Sequence, residues 1–99
     1  IQAYAVKICD LLLRQQCKLI MIPCNSASAA AAELVREYVG SKARVLNVID
    51  PIVEHIGTHY AGRTVGLIGT KQTVNSNVYK KKIDDLDAGV TLQQLATPL

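Results

Sequence analysis

The stretch LIMIPCNSASAAAAELVREYV, residues 19–39, decides the fold, because it joins an apolar strand to a long helix through a short polar turn. Residues 19–22 form a continuous apolar run between Lys18 and Pro23, a pattern typical of a strand that is buried on both faces. The alanine-rich segment after Cys24 predicts a helix over residues 25–39, since alanine has the highest helix propensity. Candidates for its N-cap are Asn25, Ser26 and Ser28.

Working outward from this stretch, helices and strands alternate along the whole chain. Helices are predicted over residues 2–16, 25–39, 51–61 and, after a loop, within 70–86; strands are predicted over 19–22, 44–49, 64–69 and 90–97. In the helix that follows the second strand, we expect Asp50 to be the cap and Pro51 to be the first helical residue. The alternation predicts an α/β fold with a mostly parallel sheet flanked by helices, in one domain over residues 1–99.

Composition and charge narrow the possible functions. The net charge of +3 is too small to indicate a nucleic-acid-binding protein, and the basic run at residues 80–82, which acidic residues follow, is interpreted as a solvated helical face. The longest apolar run is too short to cross a membrane. Three cysteines without metal-ligand spacing or a disulfide pattern predict free thiols, no metal site and a cytoplasmic location.

Open α/β sheets bind ligands at the carboxyl ends of their strands, so the strand-to-helix connections are the candidate sites. Three such connections are expected: the first junction (residues 23–26), the second junction (residues 50–51) and the third junction (residues 69–73).

Cys24 is the chemically strongest candidate, because it lies in the first junction, just before a helix. Backbone N–H groups and the helix dipole favour a thiolate there, which can act as a nucleophile or a general base. Asn25 and Ser26 add neutral donors for a carboxylate or an amine. Position alone leaves a functional thiol and an inert packed cysteine equally open for Cys24, whereas Cys9 and Cys17 are interpreted as packing residues.

The remaining candidates have simpler explanations. The third junction presents Thr70 and Thr73 to a possible anion, but taken by itself it is better explained by ordinary helix capping. No phosphate-binding loop or dinucleotide-binding glycine motif is present in the sequence. His55 and His59, four residues apart, are interpreted as surface or boundary residues, because a metal site would need more ligands.

Three segments together resemble the bacterial glutamate racemases of the aspartate/glutamate racemase superfamily. CNSASAAAAE (residues 24–33) is similar to their first cysteine motif, Cys-Asn-Thr-Ala-Ser/Thr-Ala. VLNVIDP (residues 45–51) resembles the strand and turn that follow it. VGLIGTKQTVNSNVY (residues 65–79) resembles the element Gly-Thr-x-x-Thr-x-x-Ser-x-x-Tyr. Order and spacing fit across essentially the whole chain, which makes the joint match far more specific than any single motif.

Two departures keep related activities open. Ser26 stands where the family usually has Thr, and Pro23 stands where it usually has Ala. Pro before the cysteine is more typical of aspartate racemases, although these usually carry His at the position of Ser28 and match the third junction less closely. The alternatives are therefore an aspartate racemase, another racemase of the superfamily, or a non-catalytic α/β module that binds a small carboxylate.

The resemblance implies racemisation of glutamate without a cofactor by two cysteines on opposite faces of the substrate. Cys24 matches the first of these cysteines, and Asn25, Ser26, Thr70 and Thr73 match substrate-contacting positions. It further implies a role in peptidoglycan biosynthesis and cell shape, and a homodimer in the full-length protein. The family's second cysteine and opening glycine-rich strand are not in these residues, so we expect an internal fragment of a two-lobed racemase that is inactive alone.

Overall fold

The computed structural model describes residues 2–98, and over these residues helices and strands alternate. The elements in chain order are α1 (Gln2–Arg14), β1 (Leu19–Ile22), α2 (Asn25–Val39), β2 (Arg44–Asn47), α3 (Asp50–His59), β3 (Thr64–Gly69), α4 (Lys71–Asn75), α5 (Val78–Asp85) and β4 (Thr91–Ala96). The predicted α/β class is confirmed, and β1, α2 and β3 have the bounds that the sequence predicts.

All strand pairing in the described part of the chain is parallel, but it joins the strands in two pairs. β1 pairs with β2, from Leu19 opposite Arg44 to Ile22 opposite Asn47, and β3 pairs with β4 over six residues. In each pair an intervening helical segment returns the chain to the start of a parallel neighbour, as parallel pairing requires. The sequence pattern identified the strands correctly, but the expected single sheet is two small sheets within residues 2–98.

The chain divides into two compact units, one up to Val48 and one from Ile49 onward, and each is described by itself. The core of the first unit is formed by α1, β1 and α2. Its buried residues are Cys9, Ile20, Ala31, Val35 and Val39. Burying the side chains of Ile20, Val35 and Val39 contributes about 1.5–3 kcal/mol each. The single domain that the sequence predicts over residues 1–99 stays a prediction.

β1 is less buried than its apolar sequence suggests. Ile20 is 4% exposed, whereas Leu19 and Met21, whose side chains alternate with it, are 53% and 61% exposed. The prediction of a strand buried on both faces is therefore wrong within the described residues. An apolar run gives hydrophobicity on both faces of a strand, but it does not show that both faces are covered.

The second unit has its own core between α3 and α5. Its buried apolar residues include Ile49, Val53, Ile56, Tyr79 and Ile83. Lys82 of α5 forms an ion pair with Asp50, with 2.8 Å between Nζ and Oδ1, and this contact ties α5 to the first turn of α3. Lys80 pairs with Asp84 one turn along α5 and is exposed, as expected for a solvated helical face.

Several element ends differ from the sequence expectations. The predicted strand 44–49 stops at Asn47, because Ile49 already has a helical backbone (φ −87°, ψ −51°). Ile49 is the N-cap of α3, so the assignment of Asp50 as the cap was wrong; Asp50 is the first helical residue. The predicted helix within 70–86 is two helices, since Asn77 adopts a left-handed conformation with φ 57° between them. No helix within residues 2–98 is long and apolar enough to cross a membrane.

Candidate active site

The first junction places the Cys24 thiol at the beginning of a four-turn helix. β1 ends at Ile22 and α2 begins at Asn25, so Pro23 and Cys24 form the whole connection. Cys24 is the N-cap of α2, with an extended backbone (φ −145°, ψ 121°), and its side chain makes no capping hydrogen bond. The thiol is exposed. The helix that follows it, α2, is 15 residues long.

The neutral donors predicted next to Cys24 are the first two residues of α2. Asn25 is exposed and Ser26 is half-buried. Both engage in polar interactions within the structure. Neither is the N-cap, so the proposed capping role of Asn25, Ser26 or Ser28 is wrong, because the chain turns from strand into helix already at Cys24.

Ser28 has a role that the sequence reasoning missed. It is 4% exposed, and its Oγ donates a hydrogen bond to the carbonyl oxygen of Ile22 at 3.0 Å. The same Oγ accepts from the N–H of Val48 at 3.5 Å. Ser28 therefore links the last residue of β1 to the chain just after β2. The burial of Ser28 could have been predicted, though its partners could not, since Ser28 continues the helical spacing of the buried residues Ala31, Ala32 and Val35.

The other two cysteines lie in different environments. Cys9 is 5% exposed in the core of the first unit, and burial raises the pKa of its thiol above the ordinary value of 9.0. This confirms its interpretation as a packing residue. Cys17 is half-buried and lies three residues beyond the end of α1 at Arg14, where its N–H donates to the carbonyl of Leu12 at 3.2 Å.

At the third junction the hydroxyls of the two threonines take part in hydrogen bonds between residues of the junction. Thr70 is the N-cap of α4, and its Oγ1 accepts from the N–H of Thr73 at 3.2 Å. Thr70 Oγ1 also donates to Thr73 Oγ1 at 3.1 Å, and Thr73 is 2% exposed. Ser76 Oγ donates to the Thr73 carbonyl at 2.7 Å. The capping that the sequence favoured for this loop is therefore present.

The predicted site residues are thus divided between the two units. Cys24, Asn25 and Ser26 are consecutive in the first unit, and Thr70 and Thr73 lie together in the second. The second junction, represented by Asp50, is engaged with Lys82 on α5, as described above.

His55 and His59 lie on one side of α3 with their ring centroids 4.4 Å apart, and both are exposed, as predicted. Across residues 2–98 no three His, Cys, Asp or Glu side chains are grouped so that they could hold a metal ion.

Comparison with known proteins decides the family. Residues 2–97 match the family described as Asp/Glu/Hydantoin racemase. The chain belongs to this racemase family. It is 36% identical over 98 residues to a glutamate racemase of Streptococcus pneumoniae serotype 19F (strain G54), a match that covers 99% of this chain and 36% of the relative. This chain therefore spans about a third of the length of the curated relatives it matches.

Solved racemase structures have the same fold over this length. A glutamate racemase from Francisella tularensis in complex with D-glutamate superposes with a TM-score of 0.80 at 29% identity, covering 96% of this chain and 35% of that one. A glutamate racemase isoform from Bacillus anthracis gives a TM-score of 0.83 at 27% identity, with the same coverage of 96% and 35%. These similarities agree with the resemblance that the cysteine and threonine motifs indicated.

Proposed function

We propose that the full-length protein racemises glutamate, interconverting its L and D forms without a cofactor. The observation that carries this proposal is the 36% identity to a glutamate racemase along 98 residues, which include the exposed Cys24 at the start of α2. The Francisella structure, which holds D-glutamate, supports an amino-acid substrate for a protein with this fold.

In this proposal Cys24 is one of two acid–base groups. Its thiolate removes the α-proton from one face of the substrate, and a second group protonates the carbanion from the opposite face, which inverts the configuration. The exposed position of this thiol at the N-terminus of α2 supports this role, because an acid–base group must be within reach of the substrate.

We assign the second acid–base group to a part of the full-length protein outside these 99 residues. Cys9 is unsuitable, because it is buried in the core and burial favours its protonated form. Cys17 is separated from Cys24 by the whole of β1. We therefore propose that this chain alone does not racemise glutamate.

The substrate-binding positions in this proposal are Asn25, Ser26, Thr70 and Thr73. The amide of Asn25 and the hydroxyl of Ser26 directly follow the proposed base, where they can hold the carboxylate or the amine of the substrate. Thr70 is exposed at the N-cap of α4, and its hydroxyl donates a hydrogen bond to the hydroxyl of the buried Thr73.

We further propose the biological setting that the family resemblance implies. The product D-glutamate supplies peptidoglycan biosynthesis and thereby cell-wall formation and cell shape. The protein acts in the cytoplasm as a homodimer on a small-molecule substrate, with neither a nucleic acid nor a membrane as its partner.

Circular dichroism of L-glutamate over time, with the purified full-length protein, tests this proposal. L-Aspartate is run beside it, because Pro23 before the cysteine favours an aspartate racemase as the second candidate. We expect loss of signal with glutamate only. Loss with aspartate only would replace the proposed substrate, and loss with neither from a folded protein would favour a non-catalytic carboxylate-binding module.

A further inference from the structure

Ser28 forms hydrogen bonds with the backbone of the first junction before and after Pro23. Ser28 Oγ donates to the carbonyl of Ile22 at 3.0 Å, just before Pro23. The backbone N–H of Ser28 donates to the carbonyl of Cys24 at 2.8 Å, just after Pro23. Pro23 has no N–H and cannot contribute a donor of its own to this turn. Ser28 therefore bonds to the two carbonyls that flank the Pro23–Cys24 peptide. The bond to Cys24 is the first i→i−4 bond of α2, so only the bond to Ile22 depends on the serine hydroxyl.

The hydroxyl of Ser28 also connects this turn to the neighbouring strand. Its Oγ accepts the N–H of Val48, directly after β2, so a single buried oxygen acts as donor and acceptor between two parallel strand ends. Because Ser28 is 4% exposed, water has little access to replace either bond if the hydroxyl is removed. The start of α2 would then lose its side-chain hydrogen bonds to the carbonyl of Ile22 and to the N–H of Val48.

We propose that Ser28 is a positioning residue for the Cys24 thiol, an inference that rests on the proposed racemase function. It acts through the backbone of the first junction and touches neither substrate nor reacting atoms. Its hydroxyl fixes the direction in which the N-terminus of α2 presents the thiol. Proton abstraction is sensitive to such geometry, since a misplacement of about 1 Å can lower a rate roughly a hundredfold.

The test compares Ser28→Ala with Ser28→Thr in the full-length protein. Thr keeps the hydroxyl, and the family motif accepts Ser or Thr at this position. Val39→Ala is the control for lost stability, because Val39 is 1% exposed at the opposite end of α2. The measured quantities are kcat and KM for racemisation, with folding checked by circular dichroism of the protein.

For Ser28→Ala we expect kcat to fall by about tenfold to a hundredfold while KM changes by less than about threefold, because the loss concerns the reacting geometry rather than substrate binding. Ser28→Thr and Val39→Ala should keep kcat within about threefold of the wild-type value. The proposal is overturned if folded Ser28→Ala keeps the wild-type kcat, if folded Ser28→Thr loses as much as Ser28→Ala, or if Val39→Ala does so. If Ser28→Ala does not fold, Ser28→Cys replaces it, since a thiol is only slightly larger than a hydroxyl and forms weaker hydrogen bonds.

A second readout separates this inference from the proposed function. Alkylation of Cys24 by iodoacetamide, resolved by peptide mass spectrometry, needs no racemase activity. We expect Ser28→Ala to change the Cys24 rate by more than about threefold and to leave the Cys17 rate unchanged. If the wild-type protein does not racemise glutamate, the proposed function fails, and equal Cys24 rates in both proteins would overturn the positioning role independently.

Discussion

The first and third junctions both carry a parallel strand into a helix, but they use the residue at the N-cap in opposite ways. At the first junction, Cys24 is the N-cap and its side chain makes no capping bond. At the third junction, Thr70 is the N-cap, and its hydroxyl bonds to both the N–H and the hydroxyl of Thr73.

The two junctions therefore differ in whether the residue proposed for function also stabilises the fold. The first junction is stabilised by a residue outside it, Ser28, which leaves the Cys24 thiol exposed and available. The third junction is stabilised by its own hydroxyls, so the same atoms that are proposed to meet the substrate also maintain the fold. Substitutions at the two junctions should therefore have different consequences for activity and for stability.

The largest expected effect is on activity at the first junction. Cys24→Ser in the full-length protein should lower kcat roughly a thousandfold, because a hydroxyl is a much poorer general base than a thiolate. The measurement is circular dichroism of L-glutamate over time. Cys17→Ser is the matched control and should retain kcat within about twofold. Retention of more than about a tenth of kcat by Cys24→Ser would remove Cys24 from the mechanism.

The second effect is a difference in alkylation rate between the thiols of Cys24 and Cys9. Cys24 should react with iodoacetamide at least about tenfold faster than Cys9, since Cys24 is exposed, whereas Cys9 is 5% exposed and burial raises its pKa. Peptide mass spectrometry at neutral pH gives both rates. In denaturant the two cysteines should react alike, which serves as the internal control. Equal rates in the folded protein would contradict the described burial.

The third effect is on stability at the third junction. Thr70→Val should lower the free energy of unfolding by about 1 kcal/mol, because it removes the hydroxyl that caps α4. Urea denaturation measures the change, and Thr70→Ser, which keeps the hydroxyl, should restore most of it. Cys24→Ala should change stability by less than about 0.5 kcal/mol, since Cys24 makes no capping bond that could be lost. Equal losses at both positions would remove the distinction between the junctions.

The smallest effect is a dependence of the free energy of unfolding on pH, which arises at Tyr79 in α5. Burial raises the pKa of Tyr79 above its ordinary value of 10.0. Above pH 10 the unfolded chain loses this proton while the folded chain keeps it, so the free energy of unfolding should fall as the pH rises through the folded-state pKa. Below that range the stabilisation is fully present.

Tyr79→Phe should make this alkaline decline less steep in urea denaturation at a series of pH values. Tyr60, which is 46% exposed, provides the matched control, and Tyr60→Phe should retain the wild-type decline. A decline that is unchanged in Tyr79→Phe would show that Tyr79 does not contribute to it.

The sequence predicted the local elements of the site well, because their signals are local. The apolar run 19–22 and the alanine-rich segment 25–39 became β1 and α2, and Gly40 ends α2 with φ 57°, a conformation that glycine adopts readily. The position of Cys24 between them followed directly. The capping at Thr70 also followed from local preferences.

What the sequence could not provide depends on contacts between distant residues. Strand hydrophobicity did not show which strands pair, or that Leu19 and Met21 are exposed on one face of β1. Likewise, the bond between Ser28 and Val48 joins residues 20 positions apart, so capping preferences alone gave Ser28 the wrong role. The choice of Asp50 over Ile49 as the cap failed because it assumed that Pro51 is the first helical residue, whereas Pro51 is the second residue of α3.

The central claim is that Cys24 exchanges the α-proton on one face of glutamate while a second group acts on the opposite face. Racemisation of L-glutamate by the full-length protein in D₂O tests it most directly. At low conversion the D-glutamate formed should carry one deuterium at Cα by mass spectrometry, while the remaining L-glutamate carries almost none, and Cys24→Ser should form almost no D-glutamate. D-Glutamate that retains its original hydrogen, or that Cys24→Ser forms at the wild-type rate, would contradict the claim.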